Sequence, residues 1–196
     1  LFNMRRAKHM SRGCGFLIEM MNTFGVSGKE MKIRDIIMNH VKKYIDDMHI
    51  DQLGNLIAHK KGKRNKIMLA AHMDEIGLIV KNIEKDGKIR IAKIGGIEDI
   101  ILLNEKVEIK TKKGIVKGVI TTEEISCSIL SKEHPSIQDM FIDTGLTKLE
   151  LITQKVHIGS FISFAPNAEI IANGRIIAGK ALDDRVGCYI LIELAK

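Results

Sequence analysis

Apolar side chains recur along this chain at two spacings, one typical of helices and the other typical of strands. Residues 16–24 repeat apolar positions every three or four residues, which predicts a short amphipathic helix. Ser27, followed three residues later by Glu30, matches a capping box and predicts that a second helix starts there, with an apolar stripe continuing to His49. An apolar run of helical length at residues 186–194 predicts a third helix.

Two further segments have the features of buried strands. Residues 67–71 are apolar throughout and follow a lysine-rich loop, as expected of a strand that is covered on both faces of a sheet. A second such strand is predicted at residues 180–182. A hairpin is predicted at Gly54 and Asn55, between strands at residues 50–53 and 56–59. Helices combined with buried strands indicate an α/β fold.

The pattern changes after Gly77, where apolar and charged residues alternate at a period of two. Short strands are predicted at residues 78–83, 88–94, 107–110, 115–120, 161–164, 169–172 and 175–177, and residues 126–150 are interpreted as irregular. Short strands at this spacing predict a small barrel or sandwich inserted into the α/β domain.

The composition narrows the class of protein without identifying its chemistry. With 196 residues, 45% of them apolar, the chain is long enough for one large or two small domains. Its three cysteines show no CxxC spacing, which argues against a disulfide framework or a zinc finger and favours a reducing compartment, the cytoplasm. No apolar run approaches the roughly 20 residues of a membrane span, and none is long enough for a signal peptide, so no membrane association is expected.

The net charge of +7 raises the question of nucleic-acid binding. Basic residues cluster near the N-terminus and in the loop at residues 60–66. The loop has the composition of a solvated turn, no aromatic side chains are interleaved for base stacking, and no known nucleic-acid-binding motif is present. We therefore expect no nucleic-acid partner, since such a partner would require affinity that falls steeply with salt.

Candidate chemistry lies at the ends of the two predicted buried strands. His72 follows the first strand, with Asp74 and Glu75 close behind, and Asp183 and Asp184 follow the second. A neutral imidazole is a common metal ligand, a neighbouring carboxylate can fix its tautomer, and one carboxylate can bridge two metal ions. Each cluster alone also fits a simpler interpretation, namely a hydrogen-bonded histidine beside solvated acids and a pair of helix N-caps.

Four ordered motifs together resemble one protein family. They are AAHMDEIGLIV at residues 70–80, KIGGI at 93–97, DMFIDTG at 139–145 and GKALDDRVG at 179–187, and FGVSGKE at 24–30 and GNLIA at 54–58 fit the same pattern. Over residues 16–196 the chain resembles the tetrahedral (TET) aminopeptidases. These are cytosolic peptidases with two metal ions, and members are also known as glutamyl aminopeptidases or endoglucanase-like proteins.

The resemblance implies a peptidase-type α/β sandwich with an inserted small β-rich barrel domain, and with the C-terminal part of the peptidase domain absent. It divides the chain into a disordered or upstream tail at residues 1–15, a first peptidase segment at 16–77, an inserted dimerisation-type domain at 78–166 and a second, truncated peptidase segment at 167–196.

The resemblance also implies roles for individual residues. His72 would bind one of two divalent metal ions, zinc or cobalt, and Asp183 would bridge the two ions. Asp74 would contribute to catalysis by orienting His72, Asp184 would support the ligands from behind, and the peptide bond between Asp183 and Asp184 would be cis. The implied reaction is the hydrolysis of N-terminal residues from peptide substrates by a metal-activated water. The implied assembly is a homo-oligomer built through the inserted domain, a dodecamer in full-length relatives.

The general base and the remaining ligands of the family pattern cannot be assigned within these 196 residues. Family members take them from a Glu-Glu pair and from later Asp and His residues, and Glu193 lies inside a predicted helix and does not match that pair. We therefore expect the chain alone to be inactive, to bind metal weakly and to be poorly soluble. The alternative is a non-catalytic assembly or binding module derived from such an enzyme.

Overall fold

A computed structural model describes residues 14–123 and 136–196. The predicted tail at residues 1–15 and the predicted irregular segment at 126–150 therefore lie partly outside the described residues. The chain divides into two compact units, one comprising the residues up to Glu75 together with Pro166–Lys196, and the other comprising Ile76–Ala165. The mixed α/β class and the presence of a small closed barrel agree with the sequence-based prediction.

The helices and strands follow one another in a simple order. They are α1 (Gly15–Asn22), α2 (Met31–Val41), β1 (Asp47–Ile50), β2 (Leu56–His59), β3 (Gly77–Ile83), β4 (Ile89–Ile94), β5 (Lys106–Thr111), β6 (Gly114–Thr122), β7 (Met140–Asp143), α3 (Lys148–Thr153), β8 (Phe161–Phe164), β9 (Glu169–Ile171), β10 (Ile176–Ala178) and α4 (Leu182–Ala195). Among the described residues, every helix is too short or too polar to cross a membrane.

The first unit is built from α1, α2 and α4, with two small hairpins beside them. The apolar positions that recur every three or four residues in the helices meet in one core, made of Leu17, Met20, Met21, Ile33, Ile37, Val41, Cys188 and Ile192. The hairpins pair β1 with β2 and β9 with β10, both antiparallel. The three predicted helices are confirmed, because the helical spacing in the sequence matches the face that each helix buries.

The start and the end of α2 differ from the prediction. The predicted capping box is wrong, because Ser27 does not cap the helix and its hydroxyl donates instead to the Asp74 carboxylate. The Ser27 hydroxyl donates to an ionised carboxylate, and such charge-assisted hydrogen bonds are stronger than those between neutral groups. This bond orients the Ser27 side chain towards Asp74 and away from the start of α2. The helix also ends at Val41 instead of His49, because His49 pairs with Ile57 in the β1–β2 hairpin.

The two predicted buried strands are also wrong. Residues 67–71 form no strand, and the Ile67 side chain is 81% exposed. A strand requires a hydrogen-bonded neighbour, and in the part of the chain that the structure describes both hairpins of this unit pair only within themselves. Residues 180–182 form a turn in which Ala181 has a left-handed φ of 55°, and Leu182 already begins α4.

The second unit is a closed antiparallel barrel of six strands in the order β3-β4-β7-β6-β5-β8. Every strand has two neighbours, and the inward-facing side chains form one apolar core with Leu78, Ile109, Ile120, Ile142 and Ile162 at its most buried positions. Strand β8 matches its predicted bounds, and the strands of period two are found within one or two residues of their predicted ends.

The prediction that residues 126–150 are irregular is wrong where the structure describes them. Strand β7 lies there because it pairs with both β4 and β6, and three of its four residues are buried, a pattern without alternation. Helix α3 begins after Thr147, which forms a full capping box with Glu150. Strands β9 and β10 form their own two-stranded sheet, so among the described residues they do not extend the barrel.

Candidate functional site

His72 and two aspartates lie together in the first unit. The Nδ1 atom of His72 is 3.0 Å from Asp74 Oδ1, and its Nε2 atom is 3.2 Å from Asp183 Oδ1. The side chains of His72 and Asp183 are 56% and 95% exposed, so both donor atoms face solvent. The structure therefore brings together three of the four residues singled out from the sequence, although they come from segments far apart in the chain.

The hydrogen bonds around His72 assign its protons. Asp74 accepts a hydrogen bond from the Ser27 hydroxyl through Oδ2, which leaves Oδ1 to accept from His72 Nδ1. In a neutral imidazole the proton is then on Nδ1, and Nε2 carries a lone pair directed at the Asp183 carboxylate. At 3.2 Å, Nε2 and Asp183 Oδ1 are at hydrogen-bond distance, so a second proton on the ring would join them directly, and a metal ion could take the place of that proton.

The spacing of the two donor atoms fits a shared metal ion. Two ligands at about 2.0–2.1 Å from a tetrahedral zinc lie about 3.3 Å apart, as the tetrahedral angle requires. The observed 3.2 Å between His72 Nε2 and Asp183 Oδ1 is compatible with this value and equally with a direct hydrogen bond from a protonated ring. Imidazole nitrogen together with carboxylate oxygen is also a donor set that suits zinc or cobalt. The residues present therefore fit a divalent metal ion.

The site has fewer donors than a complete zinc centre. A catalytic zinc takes about three protein ligands and keeps one open position. No group of three or more His, Cys, Asp or Glu residues arranged to hold a metal occurs in residues 14–123 and 136–196. The described residues thus provide two donors and leave the remaining positions open.

Asp184 is directed at its own helix instead of at His72. The peptide bond between Asp183 and Asp184 is cis, as the resemblance implies. The Asp184 carboxylate accepts a hydrogen bond from the Gly187 backbone N–H at 3.0 Å, and a Cβ atom at Gly187 would overlap that carboxylate. Asp184 therefore fixes the first turn of α4, which carries Asp183 at its start.

Glu75 and Lys180 form a buried ion pair that sequence reasoning missed. Lys180 Nζ lies 3.0 Å from Glu75 Oε2, and Glu75 Oε1 accepts a hydrogen bond from the Gly25 backbone N–H at 2.9 Å. Glu75 directly follows Asp74, and Lys180 lies three residues before Asp183. The sequence shows only that Glu75 is close to His72 and that Lys180 is close to Asp183. Nothing in the sequence indicates that Glu75 and Lys180 are in contact.

Arg185 is a second buried cation near the site. Its guanidinium donates to the carbonyl oxygens of Met20 and Thr23 at the end of α1, the latter at 3.2 Å. Burial lowers the pKa of Arg185, and the negative charge of Glu75 opposes this shift. The arginine therefore ties the start of α4 to the end of α1.

Cys188 is not available as a metal ligand. Its thiol donates to the His72 backbone carbonyl at 3.2 Å, and burial raises its pKa to about 11. A metal-binding cysteine must be a thiolate, and at neutral pH this thiol keeps its proton. Cys188 therefore acts by holding the backbone of His72 against α4.

Comparisons with known proteins identify relatives along most of the chain. Residues 54–196 match the family model described as M42 glutamyl aminopeptidase. The chain is 38% identical over 177 residues to a lysyl aminopeptidase of Pyrococcus furiosus, an alignment that covers 88% of this chain and 51% of that protein.

Solved structures give the same result. The chain is 33% identical to a TET aminopeptidase from a marine sediment archaeon of the Thaumarchaeota, with a TM-score of 0.86 and coverage of 94% of this chain and 53% of that one. It is 34% identical to the Pyrococcus horikoshii TET1 peptidase, which can assemble into a tetrahedron or a large octahedral shell, with a TM-score of 0.81 and coverage of 92% and 55%. The chain spans about half the length of the relatives that it matches.

Proposed function

We propose a function that proceeds from one premise, which is that this chain belongs to the M42 glutamyl aminopeptidase family. The family is metal-dependent, and its members are hydrolases. We infer that this chain is the N-terminal part of an aminopeptidase that removes N-terminal residues from peptides. In this proposal the first unit carries part of the peptidase site, and the barrel is the inserted domain through which copies of the protein associate.

The observation that carries the proposal is the arrangement of His72 between two carboxylates. His72 Nε2 and Asp183 would hold the metal, with Asp183 bridging two divalent ions, zinc or cobalt. When bound, such a pair of ions supplies an activated water and polarises the scissile carbonyl. The groups that orient these two ligands are side chains of this chain.

Asp74 keeps His72 in the state that binds metal. By accepting a hydrogen bond from Nδ1–H, its carboxylate leaves the Nε2 lone pair free and holds the ring in one orientation. Ser27 occupies the second oxygen of Asp74, so that the carboxylate cannot rotate away from the ring. The exposed faces of His72 and Asp183 leave room for further ligands and for a peptide.

The described residues supply too few metal ligands for a complete catalytic site, which supports the proposal of a partial site. Two donors are fewer than the three or so that hold a catalytic zinc. Glu193 lies within α4, where its carboxylate pairs at the surface with Lys196 Nζ at 2.6 Å, and no contact connects it to His72 or Asp183 among the described residues. We therefore propose that the 196-residue chain alone binds metal weakly and does not hydrolyse peptides.

The test is calorimetric titration of the purified chain with zinc and with cobalt, beside its His72→Ala and Asp183→Ala variants. A matched control is His49→Ala, which removes an exposed histidine of the same unit. We expect weak binding that both site variants abolish and the control retains. Binding that is unchanged in both site variants would overturn the assignment. Tight binding of two ions would contradict the partial site.

A second candidate function is a non-catalytic assembly module, and the surface of the barrel favours it. Leu149 and Ile152 lie three residues apart on α3 and are both exposed, and Ile152 and Ile158 line a groove of about 330 Å³. Exposed apolar groups in one patch are typical of contacts between proteins. Light scattering of the wild-type chain and of a Leu149→Glu variant tests this proposal. We expect a dimer or larger species that the variant converts to monomer, and a monomeric wild-type chain would exclude it.

A further inference from the structure

The buried ion pair of Lys180 and Glu75 is formed by residues that lie three positions from each candidate ligand in the sequence, Glu75 after His72 and Lys180 before Asp183. The side chains of Lys180 and Glu75 are 6% and 2% exposed. Removing two charges from water is costly, and a buried pair is often no more stabilising than apolar residues of the same volume. Stability alone is therefore a weak explanation for charges at these two positions.

The Glu75 end of the pair is fixed to the backbone that carries His72 and Asp74. Its carboxylate accepts from the Gly25 N–H, while its own N–H donates to the Gly25 carbonyl at 3.0 Å. Val26 and Glu75 also form a parallel bridge. A displacement of the Glu75 carboxylate would therefore move the segment that includes Asp74.

The Lys180 end is fixed to the turn that carries Asp183. The Lys180 backbone N–H donates to the Asn167 side chain at 2.7 Å. Gly179 packs so closely on Ala168 that a Cβ atom at this position would overlap the Ala168 backbone. The turn cannot slide along the ion pair without breaking these contacts.

We propose that the Lys180–Glu75 pair is a positioning element that sets the spacing between His72 and Asp183. Neither residue contacts the candidate ligands as a donor to metal. The pair joins the segment after Asp74 to the turn before Asp183, and the two ligands themselves are too exposed to be held by packing. In a water-excluded environment the electrostatic attraction is strong and directional, which keeps the donor atoms at the distance that one ion requires.

This inference rests on the proposed metal site, and it competes with a purely structural role for the pair. The two roles separate when both charges are removed together. Lys180→Met alone leaves a buried carboxylate without its cation, whereas Glu75→Gln combined with Lys180→Met removes both charges. The glutamine still accepts from the Gly25 N–H, so the double variant keeps this hydrogen bond, and it also removes the negative charge that acts on the buried Arg185.

The experiment compares four proteins: the wild-type chain, Lys180→Met, Glu75→Gln/Lys180→Met, and Asp51→Ala. The Asp51 carboxylate accepts hydrogen bonds from the backbone N–H groups of Leu53 and Asn55, so Asp51→Ala weakens the turn between β1 and β2 in the same unit, at residues that make none of the contacts described for the ion pair. The readouts are the melting temperature, cobalt affinity from visible absorption, and amide hydrogen exchange of the metal-free chain.

We expect Lys180→Met and the double variant each to weaken cobalt binding about tenfold, the lower range for residues that orient metal ligands. The double variant should regain part of the melting temperature that Lys180→Met loses, since Arg185 still lacks the negative charge of Glu75. It should still exchange faster at residues 70–75 and 182–187. Asp51→Ala should melt lower and bind cobalt as the wild type does.

Cobalt affinity restored in the double variant, together with wild-type exchange at both segments, would overturn the positioning role. If the wild-type chain does not bind cobalt, or binds it independently of His72 and Asp183, the proposed metal site is contradicted instead. In that case hydrogen exchange still decides the inference, because faster local exchange in the double variant supports the connection and unchanged exchange excludes it.

Discussion

The two units of this chain cover their apolar residues in different ways. In the barrel every strand has two neighbours, and the core side chains of all six strands face one another. In the first unit the sheets have two strands each, and Ile67, Met68 and Leu69 are largely exposed. The barrel is therefore complete as a packing unit, whereas the first unit is held together by three helices and by buried charges.

The candidate chemistry follows the same division. His72, Asp74 and Asp183 all belong to the first unit, and so do the buried cations Lys180 and Arg185. The barrel holds its charges near its surface, in pairs such as Arg90 with Glu84. The unit that carries the exposed candidate ligands therefore also contains the buried charges, whereas the closed barrel is stabilised mainly by apolar packing.

The largest expected effect is the removal of a central side chain from the barrel. Ile142 is fully buried on β7, between β4 and β6, so Ile142→Ala should lower the free energy of unfolding by about 3–4 kcal/mol. The matched control Ile67→Ala removes the same atoms from an exposed position of the first unit and should change it by less than about 0.5 kcal/mol. Urea unfolding measures both, and equal losses would contradict the contrast in packing.

The next effect concerns the buried arginine of the first unit. Arg185→Met replaces the guanidinium with an apolar side chain and leaves the Met20 and Thr23 carbonyls without this donor. The free energy of unfolding should fall by about 2–3 kcal/mol. Thermal unfolding with a probe in each unit should show the loss in the first unit and none in the barrel. A loss shared by both units would mean that they do not unfold separately.

A smaller effect distinguishes two motifs of the same sequence pattern, one in each unit. Thr147 caps α3, so Thr147→Ala should cost about 1 kcal/mol and speed hydrogen exchange along Lys148–Thr153. Ser27 has the same spacing to Glu30 but donates to Asp74, so Ser27→Ala should leave exchange in α2 unchanged and weaken metal binding. Faster exchange in α2 of the serine variant would show that Ser27 caps this helix after all.

The smallest effect is a pH dependence within the barrel. The Lys93 ammonium, and then the Ile137 N–H, hold the pKa of Asp99 below its ordinary value. A carboxylate with a lowered folded pKa stabilises the fold above its ordinary pKa, and this contribution is lost as the pH falls through the folded value. Asp99→Asn should therefore be less stable than the wild type by under about 1 kcal/mol at neutral pH. The difference should disappear in strong acid, and a difference that persists there would contradict the ionic origin.

The sequence predicts the barrel better than the first unit, for physical reasons. Strands with one face in the core alternate apolar and polar residues, so β4 and β5 are visible as patterns. Strand β7 is buried at three successive residues and gives no alternation. Residues 67–71 have the composition of a buried strand, but pairing depends on neighbours that no local pattern reveals.

The candidate site was predictable only in part. The motifs around His72 and Asp183 resemble a known family, and the structure places these two side chains together. The roles of Glu75, Lys180 and Arg185 could not be predicted, because each depends on a contact between segments that are distant in the sequence. Ser27 was misassigned for the same reason, since its partner Asp74 lies outside the local window that a capping motif describes.

The most direct test of the proposed site is X-ray absorption at the zinc edge of the zinc-loaded chain and of its His72→Ala variant. The wild-type spectrum should show nitrogen and oxygen ligands with the multiple scattering of one imidazole, and no sulfur, since the Cys188 thiol keeps its proton at neutral pH. The variant should lose the bound zinc, as the titration predicts, and any residual zinc signal should show no imidazole scattering. Imidazole scattering that persists in His72→Ala, or a sulfur ligand in either protein, would contradict a site formed by His72 and Asp183.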